Sequence, residues 1–111
     1  MSLATMLSQT GNIVHAGTVV DRYNNTVVDW TAATRTAARA RLQQVDTVEI
    51  AVGRDTVIAD WLLFLEPDAV IGPTDRWEQN AETYEVVGHP AVVSTPRGPH
   101  HLEVHLRSID L

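Results

Sequence analysis

The chain is 111 residues long, enough for one hydrophobic core and not for two. It has no cysteine, which excludes a disulfide scaffold, a thiolate metal site and a cysteine nucleophile. Fourteen acidic side chains against eight basic ones, all arginine, give a net charge of −6, the wrong sign for a protein that grips duplex DNA by neutralising phosphates.

Fifteen valines, five isoleucines and twelve threonines tilt the chain towards strand, where branched side chains lose less rotamer freedom than in a helix. Residues 1–16 are punctuated by Gly and Asn and keep no sustained period, so they read as an N-terminal arm. Their start lacks the basic and continuous apolar segments of a secretion signal, and no apolar run reaches membrane-spanning length, so neither secretion nor a membrane partner is expected. From Gly17 the text becomes a hairpin: Thr18 to Tyr23, a turn at Asn24-Asn25, then Thr26 to Trp30.

In residues 31–44 two signals disagree. Five alanines with Arg and Gln suit a helix, yet Ala38, Ala40 and Leu42 alternate with Arg39, Arg41 and Gln43, the pattern of a strand with one dry face. The alternation favours strand, and it places Arg35, Arg39 and Arg41 on one polar face as a candidate interface. The next stretch, Asp46, Thr47, Val48, Glu49, Ile50, Ala51, Val52 and Gly53, reads as a long mid-chain loop or a loosely paired ribbon, and long connections are often functional. It is the candidate channel or docking loop.

Thr56 to Leu65 is the most apolar run and reads as the central strand, with Trp61, Leu63 and Leu65 on the core face and Asp60 marking a wet spot on the other. Asp75 to Val87 reads as a second hairpin, broken by Gln79-Asn80-Ala81-Glu82, and Val92 to Pro99 as a loop rich in Pro and Gly. A final strand turns Leu102, Val104 and Leu106 inward and His101, Glu103, His105 and Arg107 outward. The expected fold is mainly β, a small antiparallel β-barrel of six or seven strands spanning 17–111, which avoids exposed edges by closing on itself.

Constellations for chemistry are sparse. There is no nucleophile elbow, P-loop or dinucleotide fingerprint, and no enzymatic activity or cofactor is expected. His101, Glu103 and His105 offer metal-ligating atoms, but a straight strand spreads them over about 13 Å, too far for one ion; they are expected to form a solvated face. Charge is uneven. Residues 1–45 hold four Arg and two Asp, net +2, while residues 46–85 hold two Arg and ten acids, net −8. Two copies can therefore meet basic face to acidic face, a head-to-tail contact that generates a ring when its rotation closes; the alternative is a solvated surface.

The ordered set Asp21-Arg22-Tyr23-Asn24-Asn25 with Val27-Val28-Asp29-Trp30, then Gly53-Arg54-Asp55, Thr74-Asp75-Arg76-Trp77-Glu78, Thr83-Tyr84-Glu85-Val86-Val87-Gly88-His89-Pro90 and Pro96-Arg97-Gly98-Pro99-His100-His101-Leu102-Glu103 resembles the head-to-tail joining proteins of tailed bacteriophages. The likeness is strongest to the stopper, or head-closure, proteins of long-tailed phages of actinobacteria. The resemblance implies a virion protein, made in the host cytoplasm, that forms a homo-oligomeric ring below the portal and adaptor. It implies head-side contact with the portal or neck adaptor, tail-side contact with a tail terminator or tail-joining protein, and packaged DNA passing nearby without sequence-specific binding. The alternatives are a neck adaptor or tail terminator, or a monomeric β-barrel interaction module.

Overall fold

A computed structural model describes residues 6–52 and 55–109. Six antiparallel strands occupy most of it: β1 Gln9–Val20, β2 Thr26–Val52, β3 Asp55–Leu65, β4 Arg76–Gln79, β5 Glu82–Thr95 and β6 Gly98–Ile109. They close into a barrel in the order β1-β2-β3-β6-β5-β4, and the four-residue β4 completes the ring by pairing with β1 through Asn12 to Val14.

Period-2 alternation fills the interior. Ile13, Ala40, Leu63, Leu65, Trp77, Tyr84, Val86, Leu102, Val104 and Leu106 form one buried cluster, with Ala38, Leu42 and Trp61 packed against it. Each fully buried leucine contributes roughly 2 kcal/mol of transfer free energy. The strand reading of 31–44 holds, and so does the core face of β3. Ile71, from the β3–β4 connection, joins the same cluster. That connection is pinned by the Asp75 carboxylate, which accepts from Gly72 N–H at 2.7 Å.

Packing fixes one glycine. A Cβ on Gly11 would lie 2.4 Å from Trp77 Cζ2 and 2.6 Å from the Glu78 carbonyl oxygen, so only a bare backbone lets the buried indole lie across β1. A polar chain continues from that ring. Trp77 Nε1 donates to Gln79 Oε1 at 3.0 Å, Gln79 Nε2 donates to Gln9 Oε1 at 2.7 Å, and Gln9 Oε1 also accepts from Leu42 N–H at 3.1 Å.

The structure corrects several expectations. Residues 9–16 are not an arm: they form the barrel half of β1, with Ile13 and Val14 buried and Leu7 buried just before them. Their period was hidden because Gly11 and Asn12 take positions where space and polarity outweigh hydrophobicity. The first five residues lie outside the described ones. The first hairpin turns over five residues, since β1 ends at Val20 and Asp21 Oδ1 accepts from both Tyr23 N–H and Asn25 N–H. Residues 46–52 are strand, paired with β3 from Val48↔Ala59 to Val52↔Asp55, so the mid-chain loop is the ribbon alternative; Gly53 lies outside the described residues. Val92 to Thr95 ends β5, and only Pro96-Arg97 separates it from β6. The wet spot at Asp60 is incomplete. The residue is partly exposed, yet its Oδ1 is closed off with no hydrogen-bond partner among the described residues.

Straight, the 27 residues of β2 would span about 90 Å, against a longest dimension of 52 Å. The strand therefore bends where its register shifts, opposite His15/Gly17 and between Gln44 and Val48. At the first bend a Cβ on Gly17 would meet the Ala32 carbonyl oxygen at 2.6 Å. Beyond the bends the strands leave the barrel as two-stranded ribbons: 17–29 from β1–β2, 48–52 with 55–59 from β2–β3, and 91–101 from β5–β6. The radius of gyration, 15.1 Å, exceeds the roughly 13 Å of a compact domain of this length.

Candidate functional site

The outer face of β2 carries the arginine stripe. Unbroken pairing of residues 34–40 with β1 keeps Arg35 and Arg39 on one face, and Arg41 follows them, all exposed. Arg35 grips Glu78 in a two-pronged pair, Nε to Oε1 at 2.8 Å and Nη2 to Oε2 at 3.1 Å. That hydrogen-bonded guanidinium holds the Glu78 carboxyl below its ordinary range, and the carboxylate in turn raises Arg35. The acidic segment thus supplies a partner to the basic one within the same chain, across β1. Arg39 Nε donates to the Leu7 carbonyl at 3.2 Å, while Arg41 has no ion pair among the described residues.

Farther along β2, Asp46, Thr47, Glu49 and Ala51 are exposed on the ribbon, but Ile50 turns back to the barrel: a Cβ on Gly88 would lie 3.0 Å from its Cγ2. The stripe and the ribbon therefore belong to one continuous strand, separated by the bend after Gln44. One element presents guanidinium groups at the barrel wall and carboxylates on a projection.

The outward histidines are tied to one another. His100 Nδ1 and His101 Nδ1 are 2.8 Å apart, and His101 Nε2 is 3.0 Å from Glu103 Oε1. His105 Nδ1 is closed off with no hydrogen-bond partner among the described residues. Among the described residues no three His, Asp or Glu side chains converge on a point that could hold a metal ion, and none of the described helical text is long and apolar enough to cross a membrane.

Sequence reasoning missed the root of the β1–β2 ribbon. Trp30, on β2, lies under the Arg76 guanidinium, 3.7 Å from ring centroid to Cζ, within range of a strong cation–π contact. Beside them opens a recess of about 370 Å³ lined by Val28, Trp30, Pro73, Arg76, Glu85 and Val86. The signal was in the doublets Val19-Val20 and Val27-Val28, since adjacent apolar residues on a strand cannot share one face.

No protein-family model matches the chain, and no curated protein matches it either. Solved structures do. One is a chain in the virion of a native gene transfer agent particle, similar over 93% of this chain and 96% of that one, with a TM-score of 0.62 and 16% identity. Another is the XkdH protein of the phage-like element PBSX from Bacillus subtilis, similar over 90% of this chain and 92% of that one, with a TM-score of 0.53 and 14% identity. At such identities the likeness is one of fold, and it covers the barrel together with its ribbons.

Proposed function

We propose that this chain is a structural virion protein of a phage or phage-like particle, a stopper-type connector that forms a ring in the head-to-tail neck. The observation that carries the reading is the fold likeness, over 93% of this chain and 96% of the other, to a component of a gene transfer agent virion. The geometry agrees with a joining role. A closed barrel is a rigid body, and three ribbons extend from it as surfaces for neighbours. The net charge of −6 suits a ring through which DNA passes, because like charge repels phosphate and prevents sticking.

In this reading the head-side partner is a portal or adaptor ring, the tail-side partner is a tail terminator, and the Arg35–Arg39–Arg41 stripe and the 46–52 ribbon are contact surfaces. No catalytic step is assigned to the chain. Deleting its gene from a particle-producing strain should give filled heads that leak DNA and tails that stay free, and mass spectrometry of wild-type particles should find the chain. Particles lacking the chain, or normal joining without it, would refute the proposal. Heads that retain DNA but stay tailless would reassign it to a tail terminator.

A further inference from the structure

Three carboxylates surround Arg76 in the fold, and each is held by another group. Glu85 lies directly across from Arg76 on β5, yet it pairs with Arg107. Both oxygens of Glu78, two residues farther along β4, are taken by Arg35. Asp75 Oδ2 lies 2.9 Å from His15 Nδ1 and accepts from Gly72 N–H at 2.7 Å. Among the described residues Arg76 makes no hydrogen bond and no ion pair, and its one close contact is the face of Trp30, 3.7 Å from ring centroid to Cζ. A guanidinium carries five N–H donors in a planar fork. Stacking engages its flat face and leaves that fork without an acceptor on a half-buried side chain. The recess of about 370 Å³ opens beside it, with Val28, Pro73 and Val86 as apolar walls.

We propose that Arg76, braced on Trp30, is a receptor for one carboxylate, the side chain of a single aspartate or glutamate on a neighbouring protein of the particle. The chemistry of the ligand follows from the site. A carboxylate meets the guanidinium fork with two parallel hydrogen bonds, and the methylene stem behind it suits the apolar walls of Val28, Pro73 and Val86. The stack on Trp30 holds the guanidinium in one orientation before the ligand arrives, so less side-chain freedom is lost on binding. A DNA phosphate fits less well. It comes with a row of further charges, which the chain's net charge of −6 and the adjacent Asp75 and Glu85 repel. Placing the carboxylate on a particle neighbour rests on the joining role proposed above, whereas the site itself rests on the unpaired guanidinium.

The test is a titration of the purified full-length chain, followed by proton–nitrogen NMR spectra that resolve the Trp30 indole N–H and the Arg76 Nε–H. N-acetyl-glutamyl amide, which carries one side-chain carboxylate, should move both signals saturably with a Kd of roughly 1–50 mM, a range suited to one ion pair. Its glutamine counterpart should move neither, and the fully buried Trp77 indole should stay still with both. Arg76→Lys keeps the charge and loses the fork, so binding should weaken about ten-fold. Arg41→Lys, on the outer wall, should change nothing. Equal shifts at Arg41 and Arg76, undiminished binding by a folded Arg76→Lys chain, or no shift at about 100 mM would overturn the site. So would inorganic phosphate or a short DNA duplex that moves Arg76 at a lower concentration than the carboxylate does at equal ionic strength. The wild-type titration decides by itself if Arg76→Lys fails to fold. None of these outcomes touches the joining role, which the gene deletion tests separately.

Discussion

Gln9→Leu should cost the barrel about 1–3 kcal/mol, although residue 9 lies where the sequence suggests a loose arm. The wild-type Gln9 Oε1 accepts from Gln79 Nε2 and from Leu42 N–H, and leucine removes both acceptors. Gln79 is only 8% exposed, so water cannot replace its partner, and an orphaned buried donor costs about 1–3 kcal/mol. Leu42 is half-buried, which puts its share near the lower end, and the added apolar contact of leucine returns about 1 kcal/mol. At about 1.5 kcal/mol per molar urea the unfolding midpoint should fall by about 0.7–2 M with an unchanged slope. Gln79→Leu breaks the same chain one link earlier, leaving Trp77 Nε1 without its acceptor. The two changes should therefore be non-additive by about 0.5–3 kcal/mol, because they share a partner. A Gln9→Leu midpoint within error of wild type would refute the reasoning, and with it the inclusion of β1's first half in the cooperative unit.

Other outcomes follow from the same packing. Leu63→Ala, at a fully buried position, should destabilise by about 2–5 kcal/mol in urea unfolding; an unchanged midpoint would show that β3 is not central. Gly11→Ala should lower the melting temperature markedly and quench or shift Trp77 fluorescence, since its Cβ would overlap the indole. The Arg35–Glu78 pair lowers the Glu78 carboxyl, so its contribution is full above the ordinary glutamate value of about 4.3 and is lost as pH falls through the lowered one. Glu78→Gln should flatten that acid limb of stability against pH, by a small amount because Arg35 is half-exposed; an identical limb would show the pair to be inert. Asp60→Leu should raise stability by about 1–2 kcal/mol in urea unfolding at neutral pH, because Asp60 Oδ1 is shut off with no partner among the described residues, and a loss would mean that the carboxylate has a further structural duty.

The sequence by itself determined the β class, the barrel's inward face and the second hairpin. Trp61-Leu63-Leu65 and Leu102-Val104-Leu106 carry an unbroken period of two, and burial on one face is what that period encodes. It also excluded thiolate chemistry, since the chain has no cysteine. Residues 9–16 were illegible because their strand state is imposed by partners distant in sequence, whereas 48–52 pair with the nearby 55–59 and were half-legible as the ribbon alternative. Gly11 is legible only beside Trp77, 66 positions on, and Gln9 only beside Gln79, 70 positions on. The arginine stripe was correctly placed on one face, yet its first member's partner was sought on a neighbour. Only closure of the barrel brings Glu78 across β1 to Arg35. The stack of Arg76 on Trp30 likewise belongs to the tertiary structure alone, because it joins two ribbon and barrel elements whose meeting depends on the bend in β2. Periodicity records which face of a strand is dry, whereas the choice of neighbour across the barrel is settled by register and curvature, which no local window contains.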